Sequence, residues 1–456
     1  METQLVGLGD KRLDVIFNTL VKRVSDFGSL IISRLSQGRW EQVKFGRFLC
    51  NDRFTFLDMI DSAVKLLAPI CVGRHVLLIE DTSEISFGYQ AFQQGLAPVG
   101  NGLEEGFYLH PVIAMDAEDN LCLGLAGLEV FKRAPRGPHR NKLAFEDKQS
   151  YRWLSAAQSA REHCALAAGH TVITDREGDI YEALCGYVDN SLDFVVRCWH
   201  NRSLHDQRGI EGLWQLVDTW PIAGRYACSL PRTDKRSGHE GLLQVKYGEV
   251  ALARPNSSMA KYLPPSLTVC VVEVREDPST VVNNEQPIHW ILLTSHRVDT
   301  FEMARKIILY YSKRWTIEQV FRVLKSQGLQ LQNALQHSFE SLSKLAVLGL
   351  IAAVRVLQLV SARNHPTAPM SMAFDERQIK VIEMLSPSLE GKTQIQKNPH
   401  PLRTLAFAAW VVARLGGWKG YSKSERPPGP ITMWLGLQKL QTYVNAQALF
   451  AKNNDT

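Results

Sequence analysis

Two aspartates close apolar runs in this chain, Asp81 at the end of VLLIED and Asp175 at the end of TVITD, and a glutamate, Glu318, stands in the segment YYSKRWTIEQVFRVLK. An acid at the C-terminal end of a buried strand lies at the rim where open α/β sheets bind ligands. Three carboxylates gathered there would form a hard, all-oxygen donor set, which suits Mg2+, with Mn2+ as a substitute, better than a His or Cys cage. Two such ions about 3.5–4 Å apart can activate an attacking oxygen and stabilise a leaving one at a phosphodiester. Either aspartate alone reads more readily as an ordinary helix cap or turn residue, so this chemistry depends on the set of three.

At about 100° per residue, Tyr311, Arg314, Glu318 and Lys325 fall within an arc of about 60° on one helix face. That face carries a phenol, two cations and a carboxylate, while Ile317, Val320, Phe321 and Leu324 form a separate apolar stripe for packing. Arg314 would meet phosphate through its planar fork and Lys325 as a point charge, with Arg322 and Arg47 as further candidate DNA contacts. Arg314 and Glu318 are also spaced for a plain i, i+4 salt bridge on a solvated face.

Bringing residues so far apart together requires buried strands with helices between them. Helical spacing over residues 8 to about 70 predicts helices at 10–25, 40–50 and 54–67, with Asp10 and Asn51 as caps. This unit carries Lys11, Arg12, Lys22, Arg23, Arg39, Lys44, Arg47 and Arg53, although its acids nearly balance its bases. Strands are expected at 75–81, 110–117 and 121–130, the last two joined by the polar turn Glu118-Asp119-Asn120. A helix over 146–168, a strand over 170–175, a helix over 179–187 and a strand over 192–199 follow. Three strands, a helix, then alternating strand and helix is the order of a ribonuclease H-like α/β core. Residues from about 203 to 298 read as antiparallel strands between Gly, Pro and Asn turns, a β-rich insertion ahead of the helix, 301–326, that bears the third acid. Further helices are expected at 338–363, 371–385, 401–415 and 431–450.

Residues 301–456 hold 20 Lys and Arg against 9 Asp and Glu, a net of +11, so the total of +6 leaves −5 for residues 1–300. A basic C-terminal third suits a polyanion such as DNA, or is simply a solvated face. The richest apolar stretches, 346–360 and 405–415, are interrupted by Arg355 and Arg414. They fall short of the roughly 18–20 residues a membrane helix needs. With no basic region leading into an apolar stretch and cleavage site, a cytoplasmic, nucleoid-associated protein is expected. The eight cysteines are spread singly without a CxxC pair, which reads as structural thiols in a reducing compartment.

The spacing of Tyr311, Arg314, Glu318 and Lys325 resembles the Y-R-E-K signature of the insertion sequence four family of bacterial transposases. IEDTSEISF (79–87) is similar to that family's first aspartate box and ITDREGDIYE (173–182) to its second. Further similarities run from LGDKRL (8–13) and GRFLCND (46–52), through FEDKQSYRW (145–153), to ARLGGW (413–418) and RPPGPITMWLGLQKL (426–440). The resemblance implies a helical DNA-end-binding domain over 1–70 and a ribonuclease H-like catalytic domain over 71–330. It also implies a helical dimerisation region over 331–456. Carried over by position, Asp81, Asp175 and Glu318 would be the metal-binding catalytic acids, with two ions, and Tyr311, Arg314 and Lys325 would hold the DNA backbone. Trp290, 21 residues before Tyr311, is similar in placement to the family's base-stacking tryptophan, and reads otherwise as a packed strand residue.

The implied reaction is cleavage at transposon ends, through a hairpin, followed by strand transfer into target DNA by a homodimer on double-stranded DNA. Two other readings stay open: a catalytically weak DNA-binding regulator or inhibitor of transposition, and a ribonuclease H-like nuclease that never joins strands.

Overall fold

The computed structural model describes residues 7–88, 93–133, 143–205, 209, 212–230, 232, 236–256, 259–283, 285–325, 328–420 and 427–454. The chain begins with four helices, α1 (Lys11–Phe27), α2 (Ile32–Leu35), α3 (Arg39–Leu49) and α4 (Phe56–Val64). The Asp10 carboxylate accepts from the Arg12 N–H to cap α1, and Gly28, at φ 61°, closes it in the left-handed region open to glycine. Phe17, Leu20 and Val24 repeat at helical spacing and are fully buried. Asn51, expected as a cap, instead accepts from Arg53 N–H within a turn, and Thr55 caps α4 in a capping box with Asp58.

The strands β1 (His75–Glu80), β2 (Ser83–Ser86), β3 (Ala97–Val99), β4 (Glu104–Asp116) and β5 (Cys122–Phe131) come next. Then follow α5 (Arg152–His163), β6 (Gly169–Thr174), α6 (Tyr181–Asp189) and β7 (Asp193–Arg197). Helix α5 is shorter than the 146–168 expected, because a 3-10 turn over Gln149–Tyr151 precedes it. β4 pairs antiparallel with both β5 and β1, whereas β1 pairs with β6 and β6 with β7 in parallel. The lateral order β5-β4-β1-β6-β7 is that of a ribonuclease H-like sheet. Strands β1 and β6 are buried at every position after their first, around apolar centres Val76–Ile79 and Val172–Ile173, because both their faces are covered, as parallel strands require.

After α7 (Leu213–Thr219), the strands β8 (Gly224–Leu230), β9 (His239–Ala253), β10 (Ser266–Glu276) and β11 (His289–Thr294) form the expected insertion. They build no separate sheet: β11 pairs antiparallel with β7, so the insertion extends the central sheet as β7-β11-β10-β9-β8. The third acid therefore re-enters beside the strands that carry the first two.

The single helix expected at 301–326 is two, α8 (Phe301–Ser312) and α9 (Trp315–Leu324). Between them Thr316 N–H donates to Lys313 C=O and Ile317 N–H to Arg314 C=O, the tighter i to i−3 pattern of a 3-10 turn. Residue 326, at the expected helix end, lies outside the described residues. The remaining helices are α10 (Phe339–Ala362), α11 (Glu376–Leu389), α12 (Leu405–Leu415) and α13 (Pro430–Asn454). By length and composition α10 could cross a membrane, a correction to the sequence reading, but 78% of its most apolar window is buried inside the protein. It is a core helix, packed by α1, α3, α4, α9, α12, α13 and β5. Gly349 lets α9 approach closely, since a Cβ there would stand 2.7 Å from Leu324 Cδ1.

Candidate active site

Ile79 pairs with Ile173 in the parallel β1–β6 ladder, a register offset of 94 residues. Continued two residues past that last pair, one past each strand end, the same offset sets Asp81 opposite Asp175, since 175 − 81 is also 94. Neighbouring strands lie about 4.8 Å apart, so hydrogen-bond register alone delivers two carboxylates to one point on the rim. Asp81 Oδ1 accepts from Thr82 N–H at 2.8 Å. Asp175 Oδ1 accepts from Glu177 N–H at 2.8 Å, capping the turn Arg176–Gly178. That turn folds back so closely that a Cβ on Gly178 would stand 2.6 Å from Thr174 Cβ, leaving space for glycine alone.

Glu318 reaches the same place from α9, whose stripe of Ile317, Val320, Phe321 and Leu324 is buried as its spacing requires. The link is Arg314: its Nη1 lies 3.1 Å from Asp81 Oδ2 and its Nη2 2.5 Å from Glu318 Oε1. Burial, the Asp175 charge and the Glu318 charge together push Asp81 up to about 7, although Arg314 and the Thr82 N–H pull the other way. The pocket is therefore short of positive charge even with a guanidinium in it.

Among the described residues no three His, Cys, Asp or Glu side chains converge closely enough to hold a metal ion as they stand. The chemistry of the donors nonetheless fits one. They are carboxylates in partial burial, one of them strained in its charged form, and the cation they need is supplied by Arg314, which stands between two of the three. A divalent cation would take over the charge that the guanidinium now contributes.

The other expected DNA contacts are placed unequally. Tyr311 is buried, its ring 5.0 Å from that of Trp290, with Arg197 as its polar partner. Trp290 itself is half-buried on β11. Lys325 caps the C-terminal end of α9, its N–H donating to Phe321 C=O at 2.9 Å, and the chain turns away from the helix after it at ψ −144°. Burial lowers its ammonium pKa, with Glu84 on β2 acting against that shift. Arg322 is exposed on α9. Arg47 is exposed on α3, which packs on α1, α2 and α10 rather than on the strands bearing the acids.

Sequence reasoning missed a buried polar chain behind Asp81. Arg152 Nε donates to Thr82 Oγ1 at 3.2 Å, and Thr82 Oγ1 meets His110 Nδ1 at 2.9 Å. His110 Nε2 faces Glu80 Oε2 at 3.3 Å, and Tyr187 O–H donates to Glu80 Oε1 at 3.0 Å. Burial raises Glu80 well above the ordinary carboxylate range and lowers His110 well below its usual value, so it favours the uncharged form of each. The available signal was a glutamate and a histidine inside apolar strand runs, positions where a polar group must find a partner.

Residues 159–355, from within α5 to within α10, match the family model of the transposase DDE domain, a stretch that contains Asp175, Glu318 and the whole β insertion and begins after Asp81. Over that stretch the chain is similar to the transposase DDE domain, and the strand order around it is that of a ribonuclease H-like fold.

Proposed function

We propose that this protein is a DNA transposase that binds the terminal inverted repeats of its transposon, cleaves the DNA there and joins the freed ends to target DNA. The observation that carries the reading is the register match of Asp81 with Asp175 at the ends of adjacent parallel strands, with Glu318 tied to Asp81 through Arg314. In this reading Asp81, Asp175 and Glu318 hold divalent cations, two in number, Mg2+ or Mn2+. When bound, these ions polarise the scissile phosphodiester and the attacking oxygen.

The chain's own residues do the rest. Water oxygen bonds to phosphorus as the bond to the 3′ oxygen breaks, and the 3′ oxygen leaves with a proton as a hydroxyl. That hydroxyl oxygen then bonds to phosphorus of the opposite strand as the flanking 3′ oxygen leaves as a hydroxyl, closing a hairpin; water opens the hairpin at that phosphorus, freeing the 3′ hydroxyl again, which bonds to target phosphorus as a target 3′ hydroxyl leaves. Arg314 moves from carboxylate to phosphate as the strand enters, and Tyr311, Lys325, Arg322 and Trp290 line the strand's path, Trp290 for an extruded base. The finer resemblance, to the insertion sequence four family and its transposon five member, belongs to this proposal. So do the N-terminal end-binding unit with Arg47, the C-terminal dimer contact and a cytoplasmic, nucleoid-associated location.

Incubating the full chain with supercoiled DNA containing its coding region and flanks, with Mg2+, tests the reading. Double-strand breaks and joined product are expected, each reduced by roughly a thousandfold in Asp81→Asn, Asp175→Asn or Glu318→Gln. DNA binding without any break in the wild type would favour the regulator instead. Breaks without joined product would favour a plain nuclease.

A further inference from the structure

Beside Asp175 opens a cleft of about 700 Å³ whose walls include Thr82, Arg133, Arg152, Asp175, Arg176 and Trp199. Neither Trp290 nor Tyr311 lines it, so it is separate from the position expected for an extruded base. Its volume is within the roughly 300–1,000 Å³ of small-ligand sites.

Trp199 follows β7, whose central residues Phe194–Val196 are fully buried, yet is 53% exposed, unusual for the largest apolar side chain. The Arg176 guanidinium stands 4.8 Å from its ring centroid, which fixes the indole by a cation–π contact. The backbone beneath is equally fixed: Trp199 and His200 N–H both donate to Asp179 Oδ2, at 2.8 and 3.0 Å. Asp179 is buried, and its other oxygen accepts from Arg202 Nε at 2.8 Å. An ion pair inside the protein thus spends its bonds on holding an exposed indole still.

The charges in the cleft are arranged in the same sense. Of the three acids lining the cleft, Glu177 lies 3.4 Å from Arg152 and Asp179 is matched by Arg202, which leaves Asp175, bonded by the Glu177 N–H, as the one without an ion pair in any described contact. Arg133, exposed with its guanidinium 4.6 Å from the Tyr108 ring, and Arg176 remain without a carboxylate partner in any described contact. A rigid aromatic face beside two guanidiniums is what an unpaired nucleotide requires, a surface for the base and cations for its phosphate. Paired bases inside a duplex have no free face to offer.

We propose that Trp199, Arg176 and Arg133 form a second binding position for an unpaired DNA nucleotide, with the base stacked on the open face of Trp199 and the flanking phosphate on the two guanidiniums. This deepens the transposase reading and rests on it. The strand so held passes Asp175, and it comes either from the transposon end or from the target.

The test uses the full chain without metal and three probes of equal length: a thymidine 12-mer with one 2-aminopurine, its duplex, and a fully abasic strand. Trp199→Ala is expected to weaken single-strand binding by about tenfold and to remove the 2-aminopurine quench, with duplex and abasic binding within about twofold of wild type. Trp199→Phe should restore most of the affinity. Unchanged single-strand affinity, or an equal loss on the abasic strand, overturns the proposal. A strand copied from the DNA flanking the coding region separates the sources, since preference for it means the transposon end and equal binding means target. Nicking by Asp175→Asn distinguishes the two failures: if that variant is dead while Trp199→Ala binds normally, only the second position is lost.

Discussion

Arg314 Nη1 stands 3.1 Å from Asp81 Oδ2, 233 residues away in sequence, while its Nη2 holds Glu318, so one guanidinium joins two of the acids. A cation that balances carboxylates also competes with any other cation for them. Arg314→Ala should therefore bind Mn2+ more tightly than wild type in the absence of DNA, by about tenfold, while binding DNA more weakly with a shallower salt dependence. Calorimetric titration with Mn2+ reads the first effect; unchanged or weaker affinity would show that Arg314 does not stand in for the ion.

Asp81 titrates at about 7 in the free protein, raised by burial and by the charge of Asp175. A metal must displace that proton, so at limiting Mg2+ the nicking rate should climb nearly tenfold per pH unit below about 7 and level off above it. The stability sign is the opposite. The folded state binds the proton more tightly than the unfolded one, so this group's contribution is complete below the unfolded value near 4 and is lost as pH rises through about 7. Without divalent ions, Asp81→Asn should thus gain melting temperature over wild type at pH 8 and lose that gain at pH 4. Parallel melting curves at both pH values would check it.

The turn that presents Asp175 depends on Gly178, where a Cβ would lie 2.6 Å from Thr174 Cβ, an atom too close to the backbone to swing away. Gly178→Ala should shift this turn and cost on the order of 1–3 kcal/mol of stability, as overpacking does. Nicking should fall much further than that stability loss explains, with DNA binding retained. Chemical denaturation and nicking on the same preparation would separate the two, and wild-type nicking would mean the turn tolerates the change.

Behind Asp81, the pair Glu80 and His110 connects Tyr187 to Thr82. Because burial favours the uncharged form of Glu80, Glu80→Gln should be nearly neutral in stability, whereas Glu80→Ala removes the partner of His110 Nε2 and one of the two acceptors of the Tyr187 hydroxyl and should cost roughly 2–4 kcal/mol. Urea unfolding of the two variants tests the contrast; equal losses would mean the charge, not the hydrogen bonds, is what the site uses.

The strands that end in Asp81 and Asp175 were legible because buried parallel strands are continuous apolar runs, and the α9 stripe because helical burial has a fixed period. The break between α8 and α9 was not. A 3-10 turn at Lys313 and Arg314 alters the period too little to disturb the apolar spacing, so the sequence pattern runs through it as if one helix continued. Pairing between β1 and β6 joins segments 94 residues apart, so the opposition of Asp81 and Asp175 appears only once the register is known. The fusion of the insertion to β7, and the stacking of Arg176 on Trp199, are likewise contacts between segments whose local pattern carries no trace of the partner.

The account stands on Asp81, Asp175 and Glu318 sharing bound cations, and iron-mediated backbone cleavage tests that directly. Fe2+ loaded in place of Mg2+, with ascorbate and peroxide, should cut the chain near all three positions, around 79–83, 173–177 and 316–320, and excess Mg2+ should suppress all three cuts together. Cleavage confined to one of these segments, or falling elsewhere in the chain, would contradict it.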